Sequence, residues 1–227
     1  MNNIITKTFF TPVSVYFIWS LWVIITLLLF GKDAATISGD GGFTDVATYF
    51  LYDSAFFAFA IFARDFYKIG KMKDFCAFVA LLAVCLLREM GAQHWLTTTD
   101  TTAIKIRFFT NPNNPLSEKI VAGLVIIAVV VIIAYILVKY AIPFVKGFFR
   151  LDPISWGVAT LGTFGLSAKI VDRMHSKFWS KMGEQVESYA SVLEETLEAM
   201  IPFSAVLILI QFHFILKTLK DKRYNKI

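Results

Sequence analysis

Hydrophobic residues along this chain lie in long uninterrupted runs separated by polar connections, and they do not alternate with polar residues. A helix needs about 20 mostly apolar residues to cross the roughly 30 Å hydrocarbon layer of a membrane. Runs of this length exclude the strands of a membrane barrel, because those strands alternate apolar and polar side chains. The pattern therefore predicts six transmembrane helices, at about 13–30, 47–63, 74–94, 120–143, 153–171 and 199–216.

A different periodicity follows the fifth span. Between 174 and 193, apolar residues recur every three or four positions, and Lys and Glu occupy the other faces. This spacing predicts an amphipathic helix on the outer membrane interface. No repeat, low-complexity tract or linker divides the spans. The sequence thus predicts an all-α polytopic bundle that forms a single transmembrane domain over 1–227.

Composition and charge support this interpretation and orient the spans. Apolar residues make up 57% of the chain and charged residues only 17%. With six spans, thirteen Lys and Arg fall on the side that holds both termini, and nine fall on the opposite side. Cytoplasmic connections are enriched in Lys and Arg, so both termini are predicted to be cytoplasmic. The basic tail 217–226 fits a segment at the membrane surface and requires no nucleic-acid partner.

The third span ends in charged residues where a membrane helix should still be apolar. Its run 75–87 has thirteen apolar residues, about seven too few for a crossing, so Glu89 is expected within or against the hydrocarbon layer. Such a group marks a functional site, or else Arg88 reaches the interface and pairs with Glu89. Glu89 and His94 are about 140° apart around a regular helix, and Gly91 offers a place to break it.

Two further polar segments are predicted near the outer face. Asp172 and His175 are at i and i+3, a spacing that suits two metal ligands or a histidine base oriented by a carboxylate, although a solvated surface also explains it. The run 193–200, "LEETLEAM", places three carboxylates close together on one helix. A cation, shared protons or basic partners would stabilise them. Alternatively, the dipole at the start of the sixth span favours acidic residues there.

Together with Asp53 of the second span, these segments make four that bring ionisable groups to one outer level. Their agreement in depth predicts a shared site. The predicted catalytic residues are Glu89, His94, Asp172 and His175. The predicted metal ligands are Glu89, His94, His175, Glu195 and Glu198. The predicted substrate-binding residues are Lys105, Arg107 and Arg173, whose alternative role is to reach the interface. The predicted buried polar residues are Asp53, which should face inward within the second span, and Glu194.

The expected cofactor is a divalent metal, zinc or a similar ion. Haem is not expected, because His94 and His213 fall on opposite sides of the membrane and form no axial pair. His213, deep in the sixth span, is predicted to be a hydrogen-bonded packing residue.

Three motifs carry a resemblance. The order 87–89 (Leu-Arg-Glu) with His94, then "KIRFF" at 105–109, then "LEETLE" at 193–198, resembles a group of bacterial inner-membrane proteins with no assigned activity. More distantly, acids and histidines at one membrane level look like those of the alkaline ceramidase and CREST superfamily, which are metal-dependent intramembrane hydrolases. That resemblance implies a zinc site in which carboxylates replace a histidine ligand.

Three functions are compatible with these features. The first is a metal-dependent hydrolase or transferase that acts on a membrane lipid at the outer leaflet. The second is a transporter or channel in which the carboxylates bind a cation or relay protons; it requires polar residues along the whole path. The third is a non-catalytic subunit that contacts a partner membrane protein or a second copy of the chain. Gly157, Gly162 and Gly165 favour close helix packing over the broken helices of transporters.

Overall fold

A computed structural model describes residues 8–31, 42–98 and 102–224, with side chains up to 218 except those at 93, 176, 180 and 184. The end of the predicted cytoplasmic tail therefore lies outside the described residues, as does the N-terminus. The described segments are helical and contain no strand, which confirms the predicted all-α bundle. The helices are α1 Phe10–Phe30, α2 Phe43–Lys68, α3 Met72–Glu89, α4 Ala92–Trp95, α5 Ile106–Thr110, α6 Leu116–Phe149, α7 Pro153–Lys177 and α8 Glu184–Tyr224.

Five of these helices are long and apolar enough to cross a membrane: α1, α2, α6, α7 over Pro153–His175, and α8 over Gln185–Thr218. Their outward surfaces are apolar as well. On α6, for example, Val138 is 86% exposed and Ile142 is 66% exposed. Surfaces of this kind are stable only in a hydrocarbon environment. The chain is therefore an integral membrane protein with transmembrane helices.

The third predicted span differs from the prediction in length. It was expected to run from 74 to 94, but α3 ends at Glu89 after 18 residues. Gly91 adopts a left-handed conformation with φ of 69°, which a residue with a Cβ disfavours, and the short helix α4 begins after it. Four charged residues lie within α3, so this helix is not among the five long apolar ones.

The predicted interfacial helix over 174–193 is divided between other elements. Helix α7 continues to Lys177 and is followed by a 3₁₀ turn, Trp179–Lys181. The helical conformation is interrupted at Gly183, where φ is 110°, a value that glycine adopts without steric strain. Helix α8 then runs without interruption for 41 residues and contains the predicted sixth span within it.

The helices form two compact units. The first unit comprises Met1–Asp65 and Phe144–Ile227, and the second comprises Phe66–Pro143. In the first unit, α1, α7 and α8 pack against one another. Their shared core consists of Val15, Phe164, Ala168, Leu197, Ala199 and Met200. Thr11 of α1 donates a hydrogen bond to the Gln211 Oε1 of α8 at 2.8 Å. The core of the second unit includes Ala103, Phe108 and Ala122.

A glycine permits the close approach of α7 and α8. A Cβ added to Gly157 would lie 2.8 Å from Ile208 Cγ1, whereas a Cβ on Gly162 would meet no atom within 4 Å. Gly157→Ala is expected to destabilise the protein by about 1–3 kcal/mol through overpacking. Gly162→Ala should leave it unchanged or stabilise it by about 0.5–1 kcal/mol. Unfolding in mixed detergent, followed by circular dichroism, measures both. Equal losses of stability would contradict the packing described for Gly157.

Candidate functional site

The first unit contains a groove between α1, α7 and α8 with a volume of about 280 Å³. Its walls are mainly apolar, with a few hydroxyl groups and one indole. The lining residues are Tyr16, Trp19, Thr163, Phe164, Ser167, Val171, Leu193 and Leu197. The α7 wall arises from its helical periodicity, because Thr163, Ser167 and Val171 are four residues apart and so lie on one face. Within this wall the Tyr16 hydroxyl lies 3.0 Å from Thr163 Oγ1.

His175 is the next position on the same face of α7, one turn beyond Val171. Its Nδ1 lies 3.1 Å from Glu194 Oε2 of α8, and its Nε2 lies 4.0 Å from Glu187 Oε1. The side chains of His175 and Glu194 are 24% and 20% exposed, so both are partly buried at the end of the groove. When Nδ1 carries the proton, it donates to the Glu194 carboxylate and leaves the Nε2 lone pair available as a base. The structure thus gives His175 a carboxylate partner, but not the predicted one.

Asp172 has a different partner. Its carboxylate accepts a hydrogen bond from the Lys169 ammonium, one turn earlier on α7, in a contact exposed at the surface. The expectation that Asp172 orients His175 is therefore corrected: Glu194 takes that role. Arg173, a predicted substrate-binding residue, is exposed next to this ion pair.

The other glutamates of "LEETLEAM" differ in burial. Glu198 is only 8% exposed, and Glu195 is half-buried. Between them, Thr196 is fully buried; it accepts a hydrogen bond from the Trp19 indole N–H at 3.3 Å and donates one to the Val192 carbonyl at 2.7 Å. These side chains are therefore more buried than those of a solvated helix terminus would be.

Asp53 does not face inward as predicted. The buried face of α2 contains Thr48, Tyr52, Ala55 and Phe59, and Asp53 is exposed. One residue along a helix turns the side chain by about 100°, which carries Asp53 away from the face that Tyr52 occupies. The prediction of a buried Asp53 is corrected for this reason. Glu194, the other predicted buried polar residue, is partly buried and bonded to His175.

The predicted site residues of the second unit do not form a cluster within that unit. Glu89 pairs with its neighbour Arg88 at 3.8 Å, as the alternative interpretation of this segment predicted. His94 is exposed on α4. Lys105 and Arg107 are exposed at the start of α5.

A metal site with three protein ligands is not assembled in the described part of the chain. Within 8–31, 42–98 and 102–218, no three His, Cys, Asp or Glu side chains come together in a group that could hold a metal ion. Catalytic zinc is bound by three protein ligands with a fourth position open. His175 and Glu194 supply two side chains of the right type, so this pair alone does not fit a zinc centre. The predicted divalent metal and its five ligands stay a prediction.

The sequence analysis missed a buried polar network in the second unit. The Asp74 side chain is fully buried; its Oδ1 accepts hydrogen bonds from the Tyr135 hydroxyl and the Lys139 ammonium, both at 2.5 Å. Its Oδ2 accepts one from the Tyr140 hydroxyl, also at 2.5 Å. In the sequence, Lys139 was counted only among the Lys and Arg residues that orient the spans, and Asp74 was given no partner. The available signal was the spacing of Tyr135 and Lys139, which places both on one face of α6.

A second histidine–carboxylate pair lies in the first unit. His213 Nδ1 of α8 lies 2.6 Å from Asp65 Oδ2 of α2, and the Phe62 ring packs on the imidazole at 5.1 Å. The predicted hydrogen-bonded packing role of His213 agrees with this geometry. Along α8, His213 and Glu194 are about 28 Å apart at 1.5 Å per residue. The distance between the two pairs along α8 is therefore close to the thickness of the hydrocarbon layer.

Comparison of the chain with protein-family models, with curated proteins and with solved structures gives no match in any of the three. The resemblance carried by the 87–89, 105–109 and 193–198 motifs therefore stays an expectation from sequence. The geometry of the first unit is what supports a functional proposal.

Proposed function

We propose that this integral membrane protein binds a membrane lipid in the first unit and hydrolyses it or transfers part of it. The observation that carries the proposal is the groove between α1, α7 and α8, which is mainly apolar and has His175 one helical turn beyond its α7 wall. An acyl chain suits the apolar walls. The headgroup of the same lipid would then lie beside the histidine–carboxylate pair.

The polar groups near His175 support this placement of a headgroup. Lys169, Asp172 and Arg173 surround this end of α7 with charge, and the Trp179 side chain follows in the 3₁₀ turn. Tryptophan and basic residues are enriched where a membrane helix meets the headgroup layer. A guanidinium such as that of Arg173 can also bind a phosphate through two parallel hydrogen bonds.

His175 is the general base of the proposed reaction. With Nδ1–H donated to Glu194, Nε2 accepts a proton from water while the water oxygen bonds to the ester carbon or phosphorus of the lipid. The imidazolium then returns that proton to the departing alkoxide as the ester bond breaks. Glu194 is a positioning residue, because it fixes the imidazole orientation and stabilises its charged form.

The proposed location is the bacterial inner membrane, with both termini in the cytoplasm; this orientation takes α3 as a sixth crossing in addition to the five long apolar helices. The excess of Lys and Arg in the connections on that side supports the orientation. In this proposed orientation the His175 end of the groove is at the outer leaflet, and His213, further along α8, is near the cytoplasmic one.

The acyl-chain site can be tested by filling the groove. Ser167→Phe adds a ring to the lining, whereas Ile170→Phe makes an apolar change at an exposed position of the same helix. Quenching of Trp19 fluorescence by a phospholipid with brominated acyl chains, in detergent and with the other tryptophans replaced by Phe, measures binding. Ser167→Phe should weaken binding by about tenfold or more, equivalent to about 1.4 kcal/mol. The proposal fails if both variants bind the lipid as the parent does.

A transporter is the second candidate, and one set of contacts favours it. Polar pairs occur along the first unit at Tyr16 with Thr163, at Thr11 with Gln211, and at His213 with Asp65. The Thr160 and Thr163 hydroxyls, however, bond to carbonyls of their own helix, which is how such residues are satisfied within any membrane helix. A proton or cation flux into liposomes that tracks protein content would favour transport over lipid chemistry.

A further inference from the structure

We propose that the second unit carries a separate binding surface for the phosphate of anionic phospholipids. The surface consists of the exposed side chains of Lys71 and Lys139 beside the Tyr140 ring, together with those of Lys68 and Lys73 on either side of Lys71 in the chain. It is independent of the groove in the first unit, and its ligand is a structural or regulatory lipid rather than a substrate. We name it the lysine surface.

A tight turn gathers three of the lysines. Between α2 and α3, Gly70 adopts φ of 69°, and the Lys71 N–H bonds to the Phe66 carbonyl at 2.9 Å. The Gly70 N–H bonds to the Tyr67 carbonyl at 3.0 Å. These bonds fix the turn at the end of α2, so the positions of Lys68, Lys71 and Lys73 are set by ordered backbone.

The Tyr140 ring brings Lys139 close to Lys71. The Lys71 Nζ lies 5.8 Å from the centroid of the Tyr140 ring, and the Lys139 Nζ lies 5.7 Å from the same centroid. Both distances are within the range of a cation–π contact. Two ammonium groups held on one ring repel each other, and an anion between or beside them relieves that repulsion.

Asp74 does not supply the missing anion for the whole surface. Its carboxylate is fully buried, and both of its oxygens accept bonds from Tyr135, Lys139 and Tyr140. Asp74 compensates one charge, that of Lys139, whose side chain is still 43% exposed. Counting Lys68, Lys71, Lys73 and Lys139 against Asp74 gives four minus one, a net charge of +3 at this surface.

The neighbouring residues favour a lipid over a soluble anion. Tyr67 is 73% exposed and Ile69 is 38% exposed, and they lie on either side of Lys68. An amphipathic ring and an aliphatic side chain among lysines are typical of a helix end in the headgroup layer. Basic clusters at this level attract anionic lipids, with an effect of about fivefold in affinity for each lysine near the surface.

The test compares lipid selectivity in two double variants. Lys71→Gln/Lys73→Gln removes two charges from the lysine surface, and Lys177→Gln/Lys181→Gln removes the same charge from exposed positions of the first unit. Each full-length protein is purified in detergent with equal phosphatidylglycerol and phosphatidylcholine, and native mass spectrometry counts the retained lipids. The phosphatidylglycerol preference should fall about tenfold or more in the first variant and change less than twofold in the second.

Three outcomes would overturn the proposal. The first is equal retention of both lipids by the parent protein, and the second is an equal loss of selectivity in both double variants. The third is displacement of the phosphatidylglycerol by inorganic phosphate at millimolar concentration, which would assign the surface to a soluble anion. Circular dichroism of each variant checks that it is folded. Trp19 quenching by brominated phosphatidylcholine should be unchanged in Lys71→Gln/Lys73→Gln, so failure here and failure of the groove proposal are distinguishable.

Discussion

Asp74→Ala is expected to lower the free energy of unfolding by about 2–4 kcal/mol, because it removes a fully buried acceptor of three hydrogen bonds. The substitution leaves the hydroxyls of Tyr135 and Tyr140 without the acceptor that each now bonds at 2.5 Å. A buried donor that loses its partner costs about 1–3 kcal/mol, because it was removed from water for a bond that no longer forms. Unfolding in mixed detergent, followed by circular dichroism, measures the change.

Asp53→Ala is the matched control for this prediction. Asp53 is also an aspartate in an apolar helix, but it is exposed, and its removal should shift the free energy of unfolding by less than about 0.5 kcal/mol. A further comparison is Tyr140→Phe, which deletes one donor and leaves Asp74 with two. It should cost about 1 kcal/mol. If Asp74→Ala were no more destabilising than Asp53→Ala, the network would contribute nothing to the stability of the second unit.

His175→Ala is expected to reduce lipid turnover by about 10²–10⁴-fold, the range for removing a general base. Phospholipid hydrolysis in detergent micelles, followed by mass spectrometry of the products, gives kcat and KM. Because the proposed acyl-chain site is the groove and not the imidazole, KM should change little. Glu194→Gln should lower kcat by a smaller factor of about tenfold or more, since it disturbs only the orientation and charge of His175.

His213→Ala provides the control for that experiment. It removes the other histidine–carboxylate pair of the same unit, which is separated by 2.6 Å against 3.1 Å for His175 and lies about 28 Å away along α8. Turnover should stay within about twofold of the parent. Retained activity in His175→Ala would exclude the proposed base. Lipid binding without turnover in the parent protein would leave the groove as a binding site and exclude the hydrolase.

The transmembrane helices were predictable because burial in hydrocarbon imposes a length and an apolar composition that a single sequence displays. The runs behind α1, α2, α6 and α7 match helices that begin and end within six residues of the predicted bounds. The error over 174–193 has a local cause. Residues 184–193 form the second half of the predicted interfacial helix. Because no residue in that stretch breaks a helix, they continue into the sixth span as part of α8.

The side-chain partners were less predictable, because they depend on which helices pack together. His175 and Glu194 are 19 residues apart, and Asp74 and Lys139 are 65 apart, so neither pair has a local signal. The inward orientation expected for Asp53 failed for a related reason. When nearly every residue of a helix is apolar, its periodicity does not show which face meets protein and which meets lipid.

The 41 residues of α8 make a rod about 60 Å long, roughly twice the thickness of the hydrocarbon layer. A helix of this length that runs along the membrane normal extends beyond the hydrocarbon layer. Pro202 lies within α8 between Glu194 and His213, and a proline inside a helix removes a backbone hydrogen bond and favours a bend at that point. The two histidine–carboxylate pairs of α8 lie on either side of this proline, so a change of the bend at Pro202 would move one pair relative to the other.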